Sequence, residues 1–109
     1  MTPGPGLHRT ILPKGFSASG VNSGVRRYRP DLGVIISDVP ATGAGVFTLN
    51  TCKAAPILYS SALVPSANIR AIITNSGQAN AATGEKGVAD NRTLVESAAR
   101  ALDVAPEHI

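Results

Sequence analysis

Two short runs rich in β-branched residues, Leu32-Gly33-Val34-Ile35-Ile36 and Ile69-Arg70-Ala71-Ile72-Ile73-Thr74, constrain this chain most. Runs of that length predict strands, and the first is continuously apolar, as suits a strand buried on both faces. Asp38 and Pro40 are expected to end the first strand. Residues 44–49, Ala-Gly-Val-Phe-Thr-Leu, predict its neighbour, joined through turn-rich residues 38–43 as a hairpin with a longer loop. Residues 15–27 space Phe16, Val21 and Val25 with small residues, which predicts a weaker strand broken by a bulge or turn. Residues 53–63 stay open: Pro56 either opens a strand through Ile57-Leu58-Tyr59 or occupies the first turn of a short helix.

A helix follows the second run. Val88, Val95, Ala98, Ala99 and Leu102 recur near the 3.6-residue period and form one apolar stripe. Glu96 and Arg100 stand four apart on its other side, an order that stabilises helices by about 0.3 kcal/mol. Pro106 is expected to stop the helix, and Glu107-His108-Ile109 reads as the entry to another element. Residues 1–14, punctuated by Pro3, Gly4, Pro5, Gly6 and Pro13, read as a flexible N-terminal arm, leaving residues 15–109 as the domain. The organisation is α/β or α+β, with at least four strands and one helix, ending where a strand would begin.

A length of 109 residues suits one domain and is too short for two. With 43% apolar and 16% charged residues, the chain is not collagen, a coiled coil or a charge-rich disordered tail. Aromatic residues are 4% of the total, so the core must be built from Val, Ile, Leu and Ala. No apolar run approaches the roughly 18–20 residues of a membrane-spanning helix, and residues 1–15 lack the apolar run of a signal peptide. The single cysteine, Cys52, closes no internal disulfide and joins no ligand cluster. These features read as soluble and cytosolic, with no membrane partner.

The net charge is +3, unevenly placed. Residues 1–60 carry six Lys/Arg against two Asp, and residues 61–109 carry four against five acids. The one basic cluster is Arg26, Arg27 and Arg29 around Tyr28. Such a run can hold a phosphate strand, but more often it is the solvated end of a strand, and nucleic acid is not expected as a partner.

The segment with functional character is the loop from Asn75 to Gly87. It joins a strand to a helix, where backbone N–H groups face the positive end of the helix dipole. Gly, Asn and Thr are also what any tight strand-to-helix connection requires. The P-loop pattern fails at Gly84-Glu85-Lys86-Gly87, and Gly-x-Gly-x-x-Gly is absent after Thr74. His8 and His108 are 100 positions apart with no cysteine or carboxylate at ligand spacing. Asp31 and Asp38 can meet across a strand end, although lone carboxylates are more often solvated turn residues. Cys52 beside Lys53 has the neighbour that activates a thiol but no evident histidine, so packing is the commoner role. No complete catalytic apparatus is present, and no catalytic, cofactor-binding or metal-ligating residue is assigned.

Several blocks nevertheless occur together in order. Gly15-Phe16, Gly20-Val21 and Ser23-Gly24-Val25-Arg26-Arg27 open the series. Asp31-Leu32, Ala44-Gly45-Val46-Phe47-Thr48-x-Asn50 and Lys53-Ala54-Ala55-Pro56 follow. The most specific is Asn75-Ser76-Gly77-x-Ala79-Asn80-Ala81-x-Thr83-Gly84. Over residues 15–109 the chain resembles the ornithine acetyltransferases, the bifunctional glutamate N-acetyltransferase/amino-acid acetyltransferases of arginine biosynthesis.

The resemblance implies the N-terminal portion of an αββα sandwich of the N-terminal-nucleophile acetyltransferase type. It implies a precursor that cleaves itself before an internal threonine, giving an α chain and a β chain in an (αβ)₂ heterotetramer. The new terminal threonine takes acetyl from N-acetylornithine and passes it to glutamate, and acetyl-CoA is a further donor in some members. No cofactor is implied. The family's oxyanion-hole segment, Ser-Thr-Gly-Val/Leu-Ile-Gly, and its nucleophile motif, Ala-Thr-Met/Leu-Leu, are not among these residues. Thr42-Gly43 and Thr83-Gly84 lie in other blocks and take neither role. The expectation is a scaffold part of the α chain, inactive alone, whose Asn75–Gly84 loop shapes a connection beside the active site, with direct substrate contact as the alternative role of that loop. The alternatives are a related N-terminal-nucleophile aminopeptidase, which the Phe47-Thr48-x-Asn50 and Lys53-Ala54-Ala55-Pro56 blocks disfavour, and a non-catalytic binding fragment.

Overall fold

In the computed structural model, which describes residues 12–25, 27–76 and 84–109, both β-branched runs form strands of one antiparallel sheet. The elements are β1 (Phe16–Val21), β2 (Leu32–Gly43), α1 (Ala55–Leu63), β3 (Ser66–Asn75), α2 (Gly84–Leu102) and a 3-10 turn at Pro106–His108. The sheet order is β1-β2-β3. β1 pairs β2 from Phe16 opposite Ser37 to Val21 opposite Leu32. β2 pairs β3 from Leu32 opposite Asn75 to Gly43 opposite Ser66. With every pairing antiparallel, the described part is α+β, with three strands rather than the expected four or more.

β2 outruns its expected end. Pro40 has no N–H to give a ladder, and the strand accommodates it by bulging. Ile36 faces Ala71 and Ala41 faces Ile69, so residues 37–40 oppose Arg70 alone. Arg70 Nε donates to the Ser37 carbonyl at 2.8 Å, and Ser37 Oγ donates to the Val39 carbonyl at 2.6 Å. At the far end, a Cβ on Gly43 would meet Ile69 Cγ1 at 2.7 Å, so the close crossing of β2 over β3 requires glycine there.

Residues 44–49 are not the predicted neighbouring strand and carry no regular structure. Val46 is 99% and Leu49 95% exposed. The Asn50 N–H bonds Thr48 Oγ1 and the Cys52 N–H bonds Asn50 Oδ1. These local side-chain bonds occupy backbone donors that a ladder would use. Of residues 53–63, Ala55–Leu63 form a helix. Pro56 sits in the first turn of α1, where its missing N–H has no partner to lose.

α2 begins at Gly84, a turn before the predicted stripe, so Gly84–Gly87 of the expected loop are its first turn. Val95 and Ala99 are buried in a core with Ala71 and Ile109, and Ile36, Tyr59, Ile73, Ala98, Leu102 and Val104 pack around it. Val88 departs from the stripe: it is half-exposed, in a shallow hollow beside Leu58 of α1. The ion pair that forms among the described residues is Lys86–Asp90; Arg100 instead donates to Ser97 Oγ at 3.4 Å. The helix ends before Pro106. Asp103 turns left-handed at φ 54°, the Val104 N–H bonds the Ala99 carbonyl at 3.0 Å, and the Asp103 N–H bonds the Arg100 carbonyl at 3.4 Å. This is a Schellman cap, and Pro106 opens the 3-10 turn that follows.

The sheet is covered on one side. Ile36, Ala71 and Ile73 face the core, while strand alternation turns Phe16, Ile35 and Ile72 to the other face. All three are exposed, Ile72 by 58%, so β2 is not buried on both faces as its continuous apolar run suggested.

Candidate functional site

Two features of the fold are built tightly enough to serve function: the loop between β1 and β2, and a cleft between β3 and the two helices.

The loop is organised by Asp31. The Ser23 N–H and Ser23 Oγ both donate to Asp31 Oδ1 at 2.6 Å, and the Val25 N–H donates to Oδ2 at 2.8 Å. Asn22 clamps the same loop, with Nδ2 on the Arg29 carbonyl and Oδ1 accepting from the Gly24 N–H, each at 2.8 Å. Gly24 at φ +103° takes a backbone conformation that favours glycine. Asp31 is only 3% exposed, so it is a buried organiser and not the solvated turn residue that its sequence context suggested. Asp38 is exposed and lies seven residues along β2, about 23 Å at 3.3 Å per residue. The two carboxylates therefore do not meet. Arg27 stands 5.7 Å from the Tyr28 ring centroid, and Tyr28 is 86% exposed, so the described basic residues form a solvated tip. Arg26 lies outside the described residues.

The cleft has a volume of about 510 Å³. Ala71, Ile73, Leu94, Val95 and Ile109 make its apolar lining, and Tyr59, Ser60, Asn75, Asp90 and Asn91 its polar one. Both described ends of the segment singled out in sequence, Asn75 and Gly87, line this cleft. Its centre, residues 77–83, lies outside the described residues, as do His8 and residues 1–11 of the expected arm. The Ser76 N–H donates to the Asp31 carbonyl at 2.8 Å, so one residue ties the β1–β2 loop to the start of the β3–α2 connection. Tyr59, also in the lining, donates its hydroxyl to the Pro106 carbonyl at 3.0 Å. Burial raises the Tyr59 phenol above its ordinary pKa, and the negative charge of Glu107 adds to the rise.

This arrangement can bind and shape; among the described residues it brings together no nucleophile and base. Cys52 is free and exposed, and His108 sits in the 3-10 turn. No group of three His, Cys, Asp or Glu side chains that could hold a metal occurs among the described residues. Nor does any helix among them have the length and apolarity to cross a membrane. The organising roles of Asp31, which the sequence singled out only as a turn carboxylate, and of Tyr59 were missed by sequence reading. The Asn22-Ser23-Gly24 turn triplet eight residues ahead of Asp31 was the available signal for the first; Tyr59 had none, since its partner lies 47 positions away.

The family model described as the ArgJ family matches residues 17–109. The arginine biosynthesis bifunctional protein ArgJ of Thermotoga neapolitana is 47% identical over 102 residues, covering 91% of this chain and 25% of that protein. The Bacillus subtilis protein of the same name is 47% identical over 96 residues, covering 87% and 24%. The chain thus spans about a quarter of the length of these curated relatives. Among solved structures, ArgJ from Bacillus halodurans superposes with a TM-score of 0.82 at 41% identity, covering 87% of this chain and 50% of that one. Ornithine acetyltransferase from Mycobacterium tuberculosis, complexed with ornithine, gives 0.82 at 38%, covering 88% and 53%.

Proposed function

Because the chain belongs to the ArgJ family, we propose that it forms the N-terminal scaffold of an acyltransferase moving acetyl from N-acetylornithine to glutamate in arginine biosynthesis. The observation that carries this reading is the superposition on an ornithine acetyltransferase at a TM-score of 0.82. In the proposed reaction a threonine hydroxyl outside these residues attacks the acetyl carbonyl of N-acetylornithine. The amide C–N bond breaks, the hydroxyl proton passes to the departing ornithine amine, and an acetyl ester remains on threonine. The glutamate amine then attacks that ester, forming N-acetylglutamate and restoring the hydroxyl. Acetyl-CoA is a second donor in this reading, the working species is a cytoplasmic (αβ)₂ assembly produced by self-cleavage of a precursor, and these 109 residues alone are inactive.

The sandwich architecture belongs to the same proposal. Helices cover one face of the sheet, and the other leaves Phe16, Ile35 and Ile72 exposed, which is the surface a second sheet would cover. Burying each such side chain is worth about 1.5–3 kcal/mol, so a second layer is a strong stabiliser.

The test is a chimera in which this chain replaces the corresponding quarter of the Thermotoga neapolitana protein, assayed for transfer from N-acetylornithine to glutamate. Transfer at a rate within tenfold of the unaltered protein is expected. A folded chimera without transfer would refute the proposal.

A further inference from the structure

We propose that the Arg27-Tyr28-Arg29 tip of the β1–β2 loop is an electrostatic steering element that concentrates an anionic acceptor, a dicarboxylic amino acid, at the start of the β3–α2 connection. That the acceptor is used there rests on the functional reading above; the field itself is argued from the geometry.

The tip and the connection share one end of the sheet. Val21 ends β1 opposite Leu32, the first residue of β2, and Leu32 faces Asn75, the last residue of β3. The Ser76 N–H then donates to the Asp31 carbonyl at 2.8 Å. Arg29 and Arg27 precede Asp31 by two and four residues, so their Cα atoms lie within about 7 and about 14 Å of its Cα. Ions screen charge over about 30 Å at roughly 0.01 M and about 3 Å at roughly 1 M. In dilute buffer both guanidinium groups therefore act on the connection.

The loop holds those charges in place and leaves them uncompensated. Its frame is fixed by the Asp31 carboxylate on Ser23 and Val25 and by the Asn22 amide on the Arg29 carbonyl. Arg27 lies 5.7 Å from the Tyr28 ring centroid, a cation–π contact that restrains it. Neither arginine joins an ion pair among the described residues, where Lys86–Asp90 is the pair that forms. Residues 22–31 carry three arginines against one acid, Asp31, and residues 75–84 carry no charge. Glu85 and Lys86 in the first turn of α2 cancel. This end of the sheet is thus positive, and a field of one sign enriches the opposite ion.

Charge separates the two amino acids of the proposed reaction. At neutral pH glutamate carries two carboxylates and one ammonium, a net negative charge, whereas N-acetylornithine carries one of each and is neutral. The tip favours the acceptor and is indifferent to the donor.

Two measurements test this on the Thermotoga neapolitana chimera, beside its Arg27→Gln/Arg29→Gln variant and the charge-preserving Arg27→Lys/Arg29→Lys variant. The first needs no activity: relaxation of the Ser76 amide proton by an anionic and by a cationic nitroxide of equal size. At about 0.01 M ionic strength the anionic-to-cationic ratio is expected to fall about twofold or more in the glutamine variant and to persist in the lysine variant. An unchanged ratio in the glutamine variant would overturn the proposal. The second is kinetic. At the same ionic strength kcat/KM for glutamate is expected to fall about twofold in the glutamine variant alone, with kcat/KM for N-acetylornithine unchanged and the difference gone at roughly 1 M salt. Equal losses for both substrates, or a loss that survives salt, would make the arginines structural and overturn the proposal. An inactive chimera that keeps the relaxation contrast refutes the acetyltransferase reading and supports the positive field. An active one whose glutamate kcat/KM ignores the arginines refutes the steering alone.

Discussion

Asp31 organises two connections at once. Its carboxylate takes three donors from Ser23 and Val25, and its carbonyl receives the Ser76 N–H. Removing the carboxylate breaks all three of these part-buried bonds, and hydrogen bonds to a charged group are worth about 1.5–3 kcal/mol each. Asp31→Ala is therefore expected to destabilise the fold by about 3 kcal/mol in denaturant melts; a loss under 1 kcal/mol would contradict the assigned role. Tyr59 acts by titration as well as by bonding. Its folded pKa is raised, by burial first and Glu107 second, so its contribution is complete below the ordinary value of 10.0 and is lost as pH rises through the folded value. Stability should fall as pH rises above 10.0 in the parent chain. Tyr59→Phe should flatten that fall and cost up to about 1 kcal/mol at neutral pH. An unchanged alkaline slope in the variant would exclude Tyr59 as its source.

Elements that depend on local pattern were the legible ones. β3 and the body of α2 follow from β-branched runs and from a 3.6-residue stripe, both of which survive in the fold as Ala71, Val95 and Ala99 in the core. α1 was ambiguous because Pro56 suits a strand opening and a first helical turn equally. Residues 44–49 have strand composition, but pairing is a long-range property, and the Thr48 and Asn50 turns compete with it locally. Pro40 reads as a terminator until a bulge absorbs it, and nothing local announces a bulge. Of the site, Asn75 and Gly87 were found on sequence, whereas the burial of Asp31 and the reach of Tyr59 to Pro106 are tertiary facts. The α2 cap offers a prediction at this scale. Asp103 holds a left-handed φ of 54° that costs a side-chain-bearing residue free energy. Asp103→Gly should raise stability by about 0.5–1 kcal/mol even after the greater unfolded-state entropy of glycine; destabilisation would mean that the Asp103 side chain itself supports the cap.

At the scale of the whole molecule, the described residues give the sheet one finished face and one bare one. Helices and core lie on one side of the sheet, and Phe16, Ile35 and Ile72 wait on the other. Ile35→Asp places a charge where a second layer would pack, and burying an unpaired charge is prohibitive. In the Thermotoga neapolitana chimera this substitution should lower the yield of assembled enzyme at least tenfold, by about 1.4 kcal/mol or more, and full assembly would show that this face stays in water. The most direct measurement of the central claim is the acetyl-transfer rate of the unsubstituted chimera with N-acetylornithine and glutamate. The account predicts ornithine and N-acetylglutamate formed in equal amounts, at a rate within tenfold of the unaltered Thermotoga neapolitana protein. A chimera that folds and assembles yet transfers no acetyl would contradict it.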